Sequence, residues 1–281
     1  MIQPIAATLW KIGQRALLLI GIVLLASGMT PLQAQAGAPR THVWKAEALF
    51  KGIPGTMIIK NAKTGEQYVY NPKRSMERYT PESSFKVANA LIGLEEKAVA
   101  DEYEVKRWDG VVRQFDVWNR DHSLASAMRA SAIWYYQAMA RDIGSEKMQR
   151  DLDRIGYGNR DISGGIDTFW LNSSLEISAQ EQIAFIEKLV KETLPFSEQN
   201  MKTVKRIMID NDQDDYTIHG KTGTRLSDMG LGWYVGYVET KKNVWEFATN
   251  IDGSGSTARN ITLEGLESLH IIDPPDAEPE K

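Results

Sequence analysis

Ser83-Ser84-Phe85-Lys86 sets a hydroxyl and an amine three residues apart. On a helix that spacing puts both on one face, one turn apart. A serine hydroxyl is a poor nucleophile at neutral pH and needs a base within hydrogen-bond reach. A desolvated lysine can give up its proton and act as that base. Far downstream, Lys221-Thr222-Gly223 supplies a cation and a hydroxyl on a segment bracketed by Gly220 and Gly223. That combination suits a carboxylate-bearing substrate. Between the two lies Ser131-Ala132-Ile133, in an otherwise apolar stretch. Ser131 reads either as a proton shuttle to a leaving nitrogen or as a buried hydroxyl satisfied by a carbonyl one turn back. The chemistry implied is attack of a serine on an amide or lactam carbonyl. By itself S-x-x-K is weak, since it turns up roughly once by chance in a chain of this size. K-T-G occurs twice, and the earlier copy, Lys63-Thr64-Gly65, has the composition of a hairpin turn. Order and context therefore carry the argument.

The elements that must position these residues follow from periodicity. Residues 56–60 and 66–70 read as β-strands flanking that turn. Pro81 announces a helix start, with Ser83 and Ser84 near its positive end and Phe85, Ala88, Leu91 and Ile92 on one apolar face. Leu124, Met128, Tyr135 and Met139 share one helical face, and so do Ile183, Ile186 and Val190. After Asp215 the pattern returns to strands at 216–219, 231–238 and 244–250. Lys241-Lys242-Asn243 turns the last two into a hairpin. Ile261, Leu266 and Leu269 mark a closing helix. Strands, helices, strands and a helix imply an α/β (α+β) fold: an antiparallel sheet built from both chain ends, with a helical subdomain inserted. The catalytic domain is expected over 37–272, its sheet part 37–80 and 205–272 and its helical part 81–204. The active site should then lie in the crevice between the two parts.

The 281 residues carry a net charge of −4, which gives no reason to expect nucleic acid or an anionic membrane as partner. There is no cysteine, so thiol nucleophiles, disulfides and thiolate metal sites are excluded. His42, His122, His219 and His270 are scattered without metal-ligand spacing, and no metal is expected. Lys11 and Arg15 precede a short apolar run that ends before Ala34-Gln35-Ala36, an A-x-A cleavage pattern. Residues 1–36 therefore read as a secretory signal, the alternative being an uncleaved anchor. The mature protein is expected to be exported, to the cell envelope or beyond, with no stable membrane partner. Residues 273–281 read as an acidic, proline-rich tail.

S-x-x-K, then a serine motif, then K-T-G is the order of penicillin-recognising serine enzymes. On these motifs and on Trp108-Asp109-Gly110, Trp118-Asn119-Arg120-Asp121, Tyr157-Gly158-Asn159 and Phe169-Trp170-Leu171, the chain resembles the class D (oxacillinase-type) serine β-lactamases. Within them it looks most like the bacillar, Gram-positive branch. The resemblance implies hydrolysis of penicillin-type β-lactams through an acyl-enzyme on Ser83. It implies that Lys86 carries a carbamate formed from carbon dioxide (N6-carboxylysine) and acts as general base, with no other cofactor. Trp170 would hold the carbamate, and Phe85, Ile133, Trp170 and Leu171 would form the apolar pocket that lowers the pKa of Lys86. Ser83 and Thr224 would give the backbone N–H groups of the oxyanion hole. Lys221, Thr222, Gly223 and Arg259 would bind the substrate carboxylate, with Ile133 and Leu171 also facing substrate. Tyr157 and Asn159 would buttress the loop. The family's middle motif usually ends in valine. Ile133 is larger by one methylene, which would restrict the deacylating water.

Two other readings stay open on residues alone. A D,D-peptidase shares Ser–Lys and K-T-G but does not call for Trp170 or Tyr157-Gly158-Asn159. A penicillin-binding sensor acylates and stalls. A full receptor would carry several membrane helices and an H-E-x-x-H protease motif, which this chain lacks. Oligomeric state is left open.

Overall fold

The structure is a computed structural model, and residues 40–273 are described. The expected signal segment and nearly all of the expected acidic tail lie outside these residues. From its start the described chain runs through β1 (Thr41–Val43), α1 (Glu47–Phe50), β2 (Gly55–Asn61), β3 (Gln67–Tyr70), α2 (Pro72–Ser75) and β4 (Arg78–Tyr79). A 3₁₀ turn, Glu82–Phe85, then leads directly into α3 (Lys86–Glu95). The middle of the chain holds β5 (Val105–Lys106), a second 3₁₀ turn (Asp116–Trp118), β6 (His122–Ser123), α4 (Leu124–Ala130), α5 (Ile133–Ile143) and α6 (Ser145–Ile155). It continues through β7 (Ile177–Ser178), α7 (Ala179–Val190) and α8 (Glu198–Ile207). The last part is β8 (Ile209–Asp212), β9 (Tyr216–Thr224), β10 (Gly232–Thr240), β11 (Val244–Ile251) and α9 (Gly255–Ser268).

Seven strands form one sheet in the order β1-β3-β2-β11-β10-β9-β8. Both chain ends contribute, as the strand and helix patterns imply. The sheet is antiparallel except at one edge, where β1 runs parallel to β3 through Thr41↔Gln67 and Val43↔Val69. Three-residue β1 was too short to show a period of two, so it carried no signal in the sequence. The early K-T-G is a turn: the amides of Lys63 and Thr64 donate to Asn61 Oδ1, and Gly65 has φ +72°.

One expectation needs correction. Leu124, Met128, Tyr135 and Met139 do share a buried region, but not on one continuous helix. Ser131 takes a left-handed conformation, φ +52° and ψ +35°, which caps α4, and α5 starts afresh at Ile133. The heptad-like spacing survives because the break inserts only two residues between the helices. A second correction concerns Ser83 and Ser84, which sit in the tight 3₁₀ turn rather than in the first turn of the α-helix.

The apolar side chains collect on both faces of the sheet. α9 covers one face, where Tyr234, Phe247, Ile261 and Leu266 meet. α7 covers the other, packed on β10, β11 and β2. The larger apolar cluster joins α3, α5, α6 and α8 around Phe85, Leu91, Tyr136 and Met139. On the α7 side, Glu246 is fully buried, and neither carboxyl oxygen has a hydrogen-bond partner among the described residues. Its cross-strand neighbour Lys60 is instead bonded to Glu187, 2.6 Å away.

Desolvation pushes the Glu246 carboxyl up to about 7, against the pull of Lys60. A carboxyl whose pKa is higher in the native than in the unfolded chain makes the native state bind the extra proton, so stability falls as pH rises from about 4.5 through about 7. Glu246→Gln cannot ionise. The variant should match the parent near pH 5 and exceed it near pH 8 by on the order of 2 kcal/mol. Thermal unfolding at the two pH values checks this; a parent–variant gap that does not change with pH would refute it.

Candidate active site

The turn that carries Ser83 is held by hydrogen bonds on both sides. Ser84 Oγ donates to the Pro81 carbonyl at 2.6 Å and accepts from Gln182 Nε2 at 3.0 Å, closing the 3₁₀ turn from the side. Trp233 Nε1 on β10 donates to the Thr80 carbonyl at 3.0 Å and ties the approach to the sheet. Glu82, just before the nucleophile, has φ +51°, a left-handed conformation that costs a non-glycine residue about 1–3 kcal/mol. The turn presents Ser83 to the crevice while the next helical turn carries Lys86 inward.

Lys86 is entirely buried, and its Nζ donates to Ser83 Oγ at 2.7 Å. Burial drives its pKa well below the usual ammonium range; the positive charge of Lys221 acts in the same direction, and Glu82 opposes it. An ammonium lacking a carboxylate partner in an apolar site loses its proton rather than bear the desolvation cost. Lys86 therefore has the properties of a neutral amine beside a serine hydroxyl. Its surroundings are aromatic: the Tyr136 ring lies 5.4 Å from Nζ, and Phe85 packs 5.4 Å from Trp170, 5.1 Å from Phe169 and 5.5 Å from Tyr157.

Trp170 is fully buried, and its indole N–H has no acceptor among the described residues. A buried donor left without a partner costs about 1–3 kcal/mol, so this N–H has unused capacity to donate. The segment that carries it is held by Tyr157-Gly158-Asn159. Asn159 accepts from the Glu176 amide at 3.0 Å and donates to the Ser174 carbonyl at 2.8 Å. Gly158 has φ +54°, and a Cβ there would lie 2.0 Å from the Glu176 carbonyl oxygen.

A crevice of about 200 Å³ opens at Ser83. Ser131, Ile133, Thr222 and Thr224 line it together with Phe115, Val117, Trp118, Ala130 and Leu226. The left-handed break at Ser131 is what brings this residue to the wall. Thr224 ends β9 opposite Gly232 and accepts from the Gly255 amide at 2.8 Å, fastening the strand end to the start of α9. Gly223 lies against the nucleophile turn: a Cβ on it would sit 2.9 Å from the Pro81 oxygen and 3.3 Å from the Ser83 nitrogen.

Lys221 is buried, and its Nζ donates to the Thr222 carbonyl at 3.0 Å. Desolvation brings its pKa down to about 8, with Asp210 pulling the other way. Lys221, Thr222 and Asp210 share a second, polar cavity that adjoins the crevice. Arg259 lies in the second turn of α9, bonded through Nε to Asp210 at 2.6 Å. Tyr234 donates to the same carboxylate at 2.7 Å. Arg259 and Leu171 are not among the residues that line the crevice, and Leu171 packs on the larger apolar cluster.

Phe115, Val117 and Leu226 were missed by the sequence reading. Single apolar residues in irregular segments have no period, and only their partial exposure beside Ser83 separates them from core. Glu82 was missed because it lies outside the spaced Ser–Lys pair.

A serine and a buried amine on a 3₁₀–α turn, facing a K-T-G strand, define the penicillin-recognising serine enzymes, and the penicillin binding protein transpeptidase domain family matches residues 55–264. The relatives narrow this. Over 223 residues the chain is 59% identical to the probable β-lactamase YbxI of Bacillus subtilis, covering 79% of this chain and 84% of that protein. Over 235 residues it is 40% identical to β-lactamase OXA-48 of Klebsiella pneumoniae, covering 82% of this chain and 88% of that one. The solved structure of the class D β-lactamase BAT-2 superposes with a TM-score of 0.81 at 56% identity, over 82% of this chain and 98% of that chain. A class D β-lactamase from Bacillus subtilis gives 0.81 at 57%, with the same coverage. The chain belongs to the class D serine β-lactamases, on the Bacillus-type branch.

Gly223→Ala tests the contact between strand and turn. The added methyl must push back the Pro81 carbonyl and with it the Ser83 turn, so acylation by benzylpenicillin should slow about 100-fold, the scale of losing one oxyanion donor. Circular dichroism should show an intact fold. Stopped-flow or mass-spectrometric labelling reads the rate, and an unchanged rate would show that the turn yields freely.

Proposed function

We propose that the protein hydrolyses penicillin-type β-lactams through an acyl-enzyme on Ser83, with Lys86 working as an N-carboxylated lysine. The observation that carries this reading is the pairing of a buried, neutral-leaning Lys86 with the unpartnered indole N–H of Trp170. Only a neutral amine combines with carbon dioxide, and a carbamate so formed would find in Trp170 a ready donor. When present, the carbamate supplies the base that takes the Ser83 proton and later activates water.

The chain's own groups account for the rest. Ser83 Oγ forms a bond to the lactam carbonyl carbon as the carbon–nitrogen bond of the ring breaks. The backbone N–H groups of Ser83 and Thr224 would stabilise the developing oxyanion. The Ser131 hydroxyl, on the crevice wall, would pass a proton to the leaving nitrogen. Lys221, Thr222 and Gly223 would hold the substrate carboxylate, and Arg259 would add positive charge from behind Asp210. Water then attacks the ester carbonyl, and Ser83 recovers its proton as it leaves. Phe115, Val117, Ile133 and Leu226 make one side of the crevice apolar, a surface for the substrate's acyl side chain. Export is part of the same proposal: Lys11, Arg15, the apolar run and Ala34-Gln35-Ala36 support it.

Intact-protein mass spectrometry over time after benzylpenicillin addition tests the core of the reading. The parent should show a short-lived adduct while penicilloate accumulates. Ser83→Ala should show no adduct. Trp170→Ala should still acylate but hold its adduct at least about tenfold longer, the scale of one lost charge-assisted hydrogen bond. A persistent adduct on the parent would instead identify a penicillin binder, and labelling of Ser83→Ala would remove Ser83 as nucleophile.

The lowered pKa of Lys221 gives a pH dependence with a definite sign. Lys221 loses its charge as pH rises through about 8. KM for a carboxylate-bearing penicillin should therefore climb above pH 8, with kcat changing less. A KM flat to pH 9 would assign carboxylate binding to other groups.

A further inference from the structure

Glu82 has no place in the reaction just described, yet it is one of the few buried carboxylates in the protein, 2% exposed. Its backbone conformation is left-handed, and so is that of Asn172, φ +47°. Between them the two residues make a double tie. The Glu82 amide donates to the Trp170 carbonyl at 3.0 Å. The Glu82 carboxylate takes the Asn172 amide at 2.8 Å on Oε1, and the same oxygen takes the Thr80 hydroxyl at 2.8 Å. One residue thus grips the Trp170 segment on both sides of Leu171, through its own backbone and through its side chain. The next residue along the chain is the nucleophile.

We infer that Glu82 is a positioning residue, a clamp that holds the Trp170 indole in register with the Ser83–Lys86 turn. Three features support this assignment. The strain at Glu82 and Asn172 persists only where surrounding bonds over-determine it, and the bond from the Glu82 amide to Trp170 and the bond from the Asn172 amide to Glu82 supply that. Trp170 packs on Phe85, which immediately precedes Lys86, so a shift of the segment moves the indole relative to the amine. The indole N–H has no acceptor among the described residues, so no hydrogen bond of its own anchors the ring, and its placement falls to packing and to these ties on its segment. Charge is not what the clamp needs. Its two donors are neutral, and the negative charge of Glu82 favours the protonated form of Lys86. A glutamine oxygen would serve the same two donors. An aspartate keeps the charge but falls short by one methylene.

The inference rests on the proposal that Trp170 and Lys86 act together on a lysine carbamate. Glu82→Gln, Glu82→Asp and Glu82→Ala in the full protein separate the possibilities. Titration with ¹³C-bicarbonate, followed by ¹³C NMR in the absence of any β-lactam, reads carbamate formation directly. Intact-mass time courses after benzylpenicillin read acylation and deacylation. Glu82→Gln should stay within about threefold of the parent in all three. Glu82→Asp and Glu82→Ala should need about tenfold more bicarbonate for half-saturation, and without added bicarbonate acylation and deacylation should both slow by up to about tenfold, recovering as bicarbonate is raised. Parent-like bicarbonate response in Glu82→Asp, or Glu82→Gln as impaired as Glu82→Asp, overturns the clamp. Acylation and deacylation rates in Glu82→Asp that stay low at saturating bicarbonate also overturn it, since that pattern marks a structural role only. If Glu82→Ala does not fold, Glu82→Gln against Glu82→Asp still decides. A parent that gives no carbamate signal overturns the proposed chemistry and the clamp with it, and is distinguished from failure of the clamp alone by the parent spectrum.

Discussion

Everything at this site depends on keeping the Lys86 amine dry. Water at Nζ would return the lysine to its ordinary charged state, and a charged Lys86 can neither accept the serine proton nor react with carbon dioxide. On the proposed mechanism, the aromatic wall of Phe85, Tyr136, Phe169 and Trp170 is therefore part of the chemistry. So is α5, which packs on α3 and sets the Tyr136 ring over the fully buried Lys86. The sheet contributes from the other direction. β9 closes over the nucleophile turn so tightly that only glycine fits at position 223. The two requirements meet at Ser83, the one member of the Ser–Lys pair left at the surface of the crevice.

A site assembled this way concentrates local cost. Glu82, Ser131 and Asn172 all hold left-handed backbone without being glycine. Glu82 precedes the nucleophile, Ser131 ends one crevice helix, and Asn172 follows the Trp170 segment. Each bends the chain where a regular element would point the neighbouring functional group elsewhere. At Trp170 a buried donor is left without an acceptor among the described residues. The compensation lies in hydrogen bonds to fixed partners: Gln182 to Ser84, Trp233 to Thr80, and Asn159 to the 174–176 backbone. Stability that the large apolar clusters provide is in this sense converted into preorganisation.

Much of this was legible in the chain because the informative residues are spaced in short motifs. Ser83 with Lys86, and Lys221-Thr222-Gly223, are local in sequence and need only a helix and a strand around them. Alternating residues gave β9 to β11, and the Asn61 to Gly65 turn could be set aside on composition. What was not legible depended on contacts between distant segments. The helix break at Ser131 leaves no trace in a pattern of apolar spacing, because the two helices keep their buried residues nearly in phase. The parallel edge strand β1 is three residues long. Glu82 in sequence is an ordinary acidic residue at a helix start, and its role exists only once residue 172 arrives beside it. The pairing of Arg259 with Asp210 is equally long-range, 49 residues apart.

The close seating of Gly223 also limits how this enzyme can change over generations. The strand that carries Lys221 and Thr222 cannot retreat or thicken without disturbing the nucleophile, and the aromatic wall cannot open without wetting the amine. On the proposed function, variation that alters which β-lactams are accepted is left to the other bank of the crevice. There Phe115 and Leu226 on irregular backbone and Val117 on a short 3₁₀ turn sit partly exposed, with side chains that can be enlarged, trimmed or made polar at small energetic cost. The fold thus separates an immutable catalytic floor from a replaceable rim, and adaptation to new antibiotics has its raw material in the rim.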